Sequence, residues 1–311
     1  MGHIVLKDKK VLVTGGCGFL GSHLVKRLLQ EKAQVSVIDL KEGDHEEVTY
    51  YKVPLNAVNQ LRDIIADVAP EVIFHLAADL NRRRDFNLAP ELLDTNLRGT
   101  VHLLNALKSI SYERFVFVST SEVYGGNHLK APFKETDPVH PASPYSLSKY
   151  AAEVALRTYS EMEQKPFTIL RLFNFFGPGL ADHFFMSQLI SALRRAAPFD
   201  MTGGEQKRDF LFVDDVIEAL IAALGAPAKN DLFNVCSGQG HELKTMALTL
   251  RELLQSSSVI NFGALPYRPN EIWNMVGDRQ KIKAVLNWEP KYSLREGLQH
   301  LLEDLPAQPN L

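Results

Sequence analysis

The chain is poor in cysteine, in excess charge and in long apolar runs, and each shortage removes a class of protein. Two cysteines in 311 residues, Cys17 and Cys236, give neither a disulfide framework nor a Cys-rich centre, so no metal is expected and a reducing cytoplasmic setting fits. No apolar stretch nears the roughly 20 residues of a membrane span. The longest candidate, Val216 to Leu224, is short and interrupted by Glu218, so no membrane partner is expected. The start lacks a signal-peptide pattern, and Leu6 stands where a myristoylated Gly2 would want Ser or Thr. A net charge of -3 offers no basic field to nucleic acid. The one arginine cluster, Arg82, Arg83 and Arg84, reads as a solvated helix face or loop. There is no internal repeat, low-complexity tract or linker between independent domains.

What is present is concentrated between Val11 and Leu24. Val11, Leu12 and Val13 form a short buried-strand run, Gly15, Gly18 and Gly21 follow at three-residue spacing, and Phe19, Leu20, Leu24 and Leu28 recur at helical spacing. In such a turn the first glycine permits the bend, the second a close approach to pyrophosphate, and the third tight helix packing. A second strand, Val35 to Asp39, ends in a carboxylate about 20 residues past the glycines, the place of the group that meets a ribose 2′-hydroxyl. A carboxylate there repels a 2′-phosphate, so NAD is expected rather than NADP. The alternative for Asp39 is a turn or helix-capping aspartate.

Further along, Val48 to Val53, Val72 to Ala78, Phe115 to Ser119 and Thr168 to Phe173 read as strands. Ala57 to Val68, Pro90 to Leu107 and Tyr145 to Met162 read as helices, and Pro132 to Pro144 as a proline-rich loop. This alternation predicts an α/β Rossmann fold, a doubly wound parallel sheet, with ligands at the carboxyl ends of its strands. Beyond Asn174 the character changes. Gly177, Pro178 and Gly179 break the chain, a helix follows around Ser187 to Arg195, and Arg208 to Val213 reads as a strand. Asp214 to Leu224 is helical and Leu232 to Val235 a strand. The expected division is a cofactor lobe over 1–173, which 214–235 rejoins, and a smaller C-terminal substrate-binding lobe over 174–311. The tail from Pro306 is expected to fray.

Tyr145 and Lys149 lie four apart on one helix, so they share a face. An ammonium beside a phenol favours the phenolate, a general base, and Thr120 at the end of the fifth strand can hydrogen-bond the same substrate oxygen. Removal of a hydroxyl proton as hydride leaves carbon needs such a base. On spacing alone, the pair could equally decorate a surface.

Taken together, these pieces resemble an extended short-chain dehydrogenase/reductase of the nucleotide-sugar epimerase and dehydratase group, over nearly the whole length. The matching segments are Thr14 to Gly21, His75-Leu76-Ala77-Ala78, Asn96 with Gly99-Thr100, Ser119 to Gly125, Tyr145-Ser146-Leu147-Ser148-Lys149, Arg171 to Asn174 and Arg208-Asp209-Phe210. The resemblance implies bound NAD and a nucleotide-diphosphate sugar substrate. It assigns to the cofactor Gly15, Gly18, Phe19, Leu20, Gly21, Asp39, Leu76, Ala77, Ala78, Asn96 and Ser119, with Tyr145 and Lys149. Asn174, Arg208 and Arg268 then match the diphosphate-binding positions, which suits planar bidentate cations. Surface salt bridges are the alternative for the arginines, and a backbone-tying role for Asn96. Arg84, from the cluster after the fourth strand, is expected to border the sugar. Pro54 stands where many relatives carry an adenine-contacting aspartate.

The reaction turns on Thr120-Ser121-Glu122. Glu122 can serve as a base at C5, but Ser121 is a poor general acid, so the redox set is complete and the elimination set is not. A 4-epimerase is therefore expected first. The alternatives are a 4,6-dehydratase or nucleotide-sugar decarboxylase using Glu122, a 4-ketosugar reductase, and a non-catalytic NAD-sensing scaffold, which would typically lose the Tyr and Lys pair that this chain keeps. Loops Phe176 to Phe185 and Phe262 to Trp273 should choose base and sugar. Outer residues Leu147, Ala151, Val154 and Thr158, alongside the Pro90 to Leu107 helix, suggest a homodimer through a four-helix bundle, with internal packing as the alternative.

Overall fold

A computed structural model describes residues 4–125, 130–268 and 270–305, so the tail from Pro306 lies outside the described residues. The chain begins β1 (Lys10–Thr14), α1 (Phe19–Gln30), β2 (Gln34–Asp39), β3 (Thr49–Lys52), α2 (Val58–Val68) and β4 (Val72–His75). A broken helix follows: α3 (Ala89–Leu92), a π-helical stretch (Leu93–Arg98) and α4 (Gly99–Ala106). Then come β5 (Arg114–Thr120), α5 (Pro144–Glu163) and β6 (Phe167–Leu172). The second half comprises β7 (Asn174–Phe176), α6 (Phe185–Arg194), β8 (Phe199–Met201), β9 (Lys207–Phe212), α7 (Val213–Ala222), β10 (Asp231–Val235), β11 (Gly240–Glu242), α8 (Leu243–Leu253), β12 (Ile260–Phe262), β13 (Asn274–Met275), α9 (Gln280–Leu286) and α10 (Leu294–Glu303).

Seven strands make one parallel sheet in the order β10-β6-β5-β4-β1-β2-β3. Strand pleating sends Val11 and Val13 into the layer of α1 and α7, and Leu12 into the layer of α2, α4 and α5, so two apolar cores sandwich the sheet. The order reverses between β1 and β4, which opens a crevice at their carboxyl ends. The second lobe is built on β11, β9, β13 and β7, with β8 pairing β12. Its apolar residues Phe176, Leu211, Met246 and Leu298 belong to the same core as Val11 and Leu24, so the two lobes share one interior. Strand β10 returns from beyond β7, β8 and β9 to pair with β6, and α7 packs on α1.

Two sequence expectations need correction. The helix expected over Pro90 to Leu107 is interrupted by wide turns, with Gly99 N–H donating to Asp94 C=O five residues back. Its apolar residues kept helical spacing throughout, so periodicity alone did not mark the break. The strand expected over Val72 to Ala78 ends at His75, and Leu76 to Ala78 leave the sheet to wall the crevice. Strands β7, β8 and β11 to β13 have two or three residues each, too few to carry an alternation signal.

Candidate active site

The crevice is a cleft of about 900 Å³ between the lobes. Gly15 sits at φ +75, and a Cβ there would fall 2.7 Å from Ala77 N. A Cβ on Gly21 would fall 2.1 Å from the Gly15 carbonyl oxygen. Both positions therefore demand glycine, one for conformation and one for contact. Gly18 precedes α1 with no side-chain cap, which leaves first-turn N–H groups for an anion. Phe19 and Leu20 line the same wall.

Asp39 ends β2 with its carboxylate accepting from Cys17 N (3.0 Å) and Lys41 N (3.1 Å). Those bonds fix the acid at the cleft edge. Leu76, Ala77 and Ala78 face it across the cleft, with Pro54 and Leu55 alongside. Backbone donors at a helix start, a carboxylate and apolar flanks fit a dinucleotide without a 2′-phosphate. Pro54 lines the wall and has no side-chain donor or acceptor to offer an adenine.

At the other end, β5 delivers Ser119, Thr120, Ser121 and Glu122 to the cleft. Thr120 Oγ1 accepts from Glu122 N at 3.2 Å and so starts the 3₁₀ turn over Ser121–Tyr124. Tyr145 lies in the first turn of α5, which is fixed by Pro144 and by a reciprocal cap between Ser143 and Ser146. Thr120 and Tyr145 both line the cleft, and Arg82 Cζ lies 5.5 Å from the centre of the Tyr145 ring. Burial raises that phenol above its ordinary pKa, the Arg82 charge opposes the rise and Glu122 adds to it.

Lys149 departs from expectation. It is 2 % exposed, lies behind the cleft lining, and places Nζ 4.2 Å from the centre of the Phe117 ring. Burial pulls its pKa down to about 7, opposed by the Glu153 carboxylate. Its side chain packs onto β5, and the groups that act on the Tyr145 phenol include Arg82, Glu122 and Thr120.

Behind the cleft, Glu153 takes two bonds from Arg171, Nε at 3.0 Å and Nη2 at 2.7 Å, and one from the Ser119 hydroxyl. This buried, fully formed pair anchors α5 to β5 and β6. Glu153 carries the signal of a carboxylate one helical turn beyond Lys149, which sequence reasoning passed over. Asn96 also stands behind the wall: its Oδ1 accepts from Asp79 N (2.7 Å), and its Nδ2 donates to Asp79 O (3.0 Å) and Ser148 Oγ (2.9 Å). Ser148 Oγ in turn donates to Tyr145 O at 2.8 Å.

From the second lobe, Asn174 at the head of β7, Arg208 and Arg268 reach the cleft. Arg208 is held by Glu271 (2.6 Å) and the Ile272 carbonyl (2.6 Å), while burial and the Arg268 charge both disfavour its charged form. Both arginines line the cleft, and cations so placed suit an anionic ligand. Arg84 requires correction. It donates to Asn270 O at 2.6 Å outside the cleft lining, and Arg82 is the member of the cluster that enters. Phe175, Phe184, Phe185, Leu243 and Met246 complete an apolar floor. Phe184 and Phe185 fall at the edge of a loop singled out above, whereas Phe175 of β7 and the two α8 residues gave no sign of reaching the site. Among the described residues no group of His, Cys, Asp or Glu is arranged to hold a metal, and no helix is long and apolar enough to cross a membrane.

Comparison with known proteins extends this picture. Residues 11–236 match the model described as NAD dependent epimerase/dehydratase family. The chain is 30 % identical, over 95 % of its length and 88 % of the relative's, to the dTDP-D-glucose 4,6-dehydratase of Mus musculus. It is 32 % identical to UDP-glucuronic acid decarboxylase 1 of Arabidopsis thaliana, over 96 % of this chain and 70 % of the relative. Among solved structures it is similar to the UDP-glucose 4-epimerase of Thermotoga maritima with UDP-glucose, at TM-score 0.88 and 30 % identity, covering 94 % of this chain and 97 % of that one.

Proposed function

The chain belongs to the NAD dependent epimerase/dehydratase family, and from that premise we propose that it is an NAD-dependent enzyme acting on a nucleotide-diphosphate sugar through a transient 4-keto intermediate, as a 4-epimerase. Relatives of three different reactions lie at 30 to 32 % identity, so the choice among them rests on the site. The observation that carries it is the pairing at the sugar end. Thr120 and Tyr145 meet at the cleft, while the carboxylate that elimination would use, Glu122, is taken by Arg82 Nε at 3.2 Å.

The glycine turn, the start of α1 and Asp39 would hold the cofactor, which supplies a reversible acceptor for the hydride of the sugar carbon. Thr120 orients the sugar hydroxyl and the Tyr145 phenolate takes its proton as the C–H bond gives up hydride, leaving a ketone and a neutral phenol. Asn174, Arg208 and Arg268 grip the diphosphate while the sugar turns about its link to it. Tyr145 then returns the proton to the oxygen of the reduced carbon, with the opposite stereochemistry. Lys149, buried on the Phe117 ring behind the cleft lining, is the residue that would hold the nicotinamide ribose.

A second reading is decarboxylation of a nucleotide uronic acid, favoured by Arg82 as a cation at the sugar end. One assay separates them. Protein loaded with NAD is given UDP-glucose, UDP-galactose and UDP-glucuronic acid, and products are resolved by chromatography and proton NMR. The expected product is the 4-epimer with no net change in reduced cofactor, and Tyr145→Phe should slow turnover roughly thousandfold. A pentose with carbon dioxide selects the second reading, and a released ketosugar or stoichiometric cofactor oxidation rejects epimerisation. We also propose a homodimer through the outer face of α5, where Val154 is 47 % exposed.

A further inference from the structure

The loop after β4 has no regular structure, yet its course is built step by step. Asn96 holds Asp79 by both backbone groups. Asp79 Oδ1 accepts from Asn81 N (2.9 Å), Asn81 Oδ1 from Arg83 N (3.2 Å), and Asp85 Oδ1 from Asn87 N (3.1 Å). Such side-chain turns fix each residue by the one before. Arg84 stands between the last two of these turns, so the point from which it reaches out is set. Its Nη1 donates to the Asn270 carbonyl at 2.6 Å, a bond between positions 186 residues apart that joins the first lobe to the second.

Beyond Asn270 the chain is tied to β9. Lys207 N donates to Trp273 O at 2.8 Å, and Arg208 donates from Nη1 to Ile272 O and from Nη2 to Glu271 Oε1, both at 2.6 Å. Glu271 N in turn donates to Arg268 O at 3.1 Å, closing a turn with Asn270 inside it. Asn270 adopts φ +57, in the left-handed region that asparagine tolerates and β-branched residues resist. One short run of chain therefore carries Arg268, the Asn270 carbonyl and the carboxylate that orients Arg208, and a cation from the other lobe holds its middle.

We propose that Arg84 is a positioning residue for the diphosphate grip: by holding Asn270 it sets the place of Arg268 and, through Glu271, that of Arg208; this rests on the nucleotide-sugar reading above. Arg208 and Arg268 line the cleft and Arg84 does not, so Arg84 acts through them. A guanidinium suits the task, because it stays charged at any working pH and its charge-assisted bond to a carbonyl is short and directional. Its benefit precedes the ligand: cations already in place lose less freedom on taking a diphosphate than cations on a loose turn. The same loop carries Arg82, whose Nε meets Glu122 at 3.2 Å. The sugar end and the diphosphate end are thus referred to one stretch of backbone, Arg82 reaching the first and Arg84 the second.

Preorganisation of this kind shows as affinity, with the chemical step left alone. Protein loaded with NAD is titrated calorimetrically with UDP and with dTDP, and KM and kcat are measured on the nucleotide sugar turned over in the assay above. Arg84→Gln should raise both the Kd of the preferred nucleoside diphosphate and the KM roughly fivefold, while kcat and NAD affinity stay as in the parent. Asn270→Val, which disfavours the left-handed backbone that presents the carbonyl, should weaken the nucleotide to a similar degree. Arg84→Gln added to it should cost nothing further, since the two changes remove one contact. Unchanged nucleotide affinity in Arg84→Gln overturns the proposal, and so does an equal loss of NAD affinity, which marks a general loosening. Independent, additive losses in the two variants overturn it too. Should Asn270→Val fail to fold, the difference between nucleotide and NAD affinity in Arg84→Gln still decides. A parent that binds neither nucleoside diphosphate rejects the nucleotide-sugar reading itself, a different failure from a parent that binds one and an Arg84→Gln variant that binds it equally well.

Discussion

His75 shows how much a single buried residue can reveal about pH. Its Nδ1 lies 2.6 Å from Thr14 Oγ1 and its Nε2 2.8 Å from Thr100 Oγ1. Thr100 already spends its hydroxyl proton on Asn96 O at 2.6 Å, so it can only accept from His75. Nε2 therefore carries the hydrogen and Nδ1 accepts from Thr14. A second proton on the ring would face the Thr14 hydroxyl donor, and burial pushes the pKa down to about 3. Because the unfolded chain binds that proton near 6.5 and the folded one does not, His75 contributes stability above pH 6.5 that is lost as pH falls towards 3. Asp209, raised to about 6 by burial, works the other way, its contribution growing as pH falls through 6. Urea denaturation of parent and His75→Gln separates the two. The variant, less stable at pH 6.5, should recover about 1.5 kcal/mol relative to the parent by about pH 5, and parallel curves would show that His75 is not the titrating group. Residues whose chemistry shows in their type and spacing, Gly15, Gly21, Asp39, Thr120 and Tyr145, were legible before any coordinates. Arg82 was not, since three successive arginines carry no mark of which one turns inward.

At the level of elements, the π-helical stretch between α3 and α4 matters more than its six residues suggest. Its wide turns present Asn96 to both the Arg82 loop and Ser148 of α5, so one amide fastens two segments that carry reactive groups. Asn96→Ala should leave far-UV circular dichroism unchanged while costing about 1–3 kcal/mol in chemical denaturation, because Asp79 N and Ser148 Oγ lose a buried partner. Turnover should fall with it, and an unaltered rate would show that the loop and helix hold their places unaided. The main strands and helices were readable because their apolar residues keep one period over a whole segment, as in α1 and α5. Strands of two or three residues such as β7 and β13 exist only because β9 offers them an edge, and no local pattern records a neighbour supplied by distant sequence.

Taken as a whole, the molecule is held together across its cleft as well as within its lobes. Phe19 stacks on Phe175 at 5.7 Å, and His23 Nε2 lies 2.8 Å from Pro178 O, joining the start of α1 to the second lobe. Arg84 of the loop after β4 donates to the Asn270 carbonyl of the second lobe. The outer face of α5 remains uncovered in the protomer, and light scattering should give twice the protomer mass, with Val154→Glu reverting to a single protomer; a monomeric parent would end the dimer proposal. The change of character after Asn174 coincides with the start of the short sheets, whereas the shared core left no trace in the sequence, because it is assembled from residues as far apart as Val11 and Leu298.

The placement of β10 reaches into biosynthesis. A growing polypeptide that has emerged only as far as residue 173 has every other strand of the large sheet but offers β6 as a bare, apolar edge. That edge is not covered until residues 231–235 have left the ribosome, with part of the second lobe already made. The half that carries the large sheet is therefore not a complete module by itself, and its completion during synthesis waits on the half that carries the short sheets.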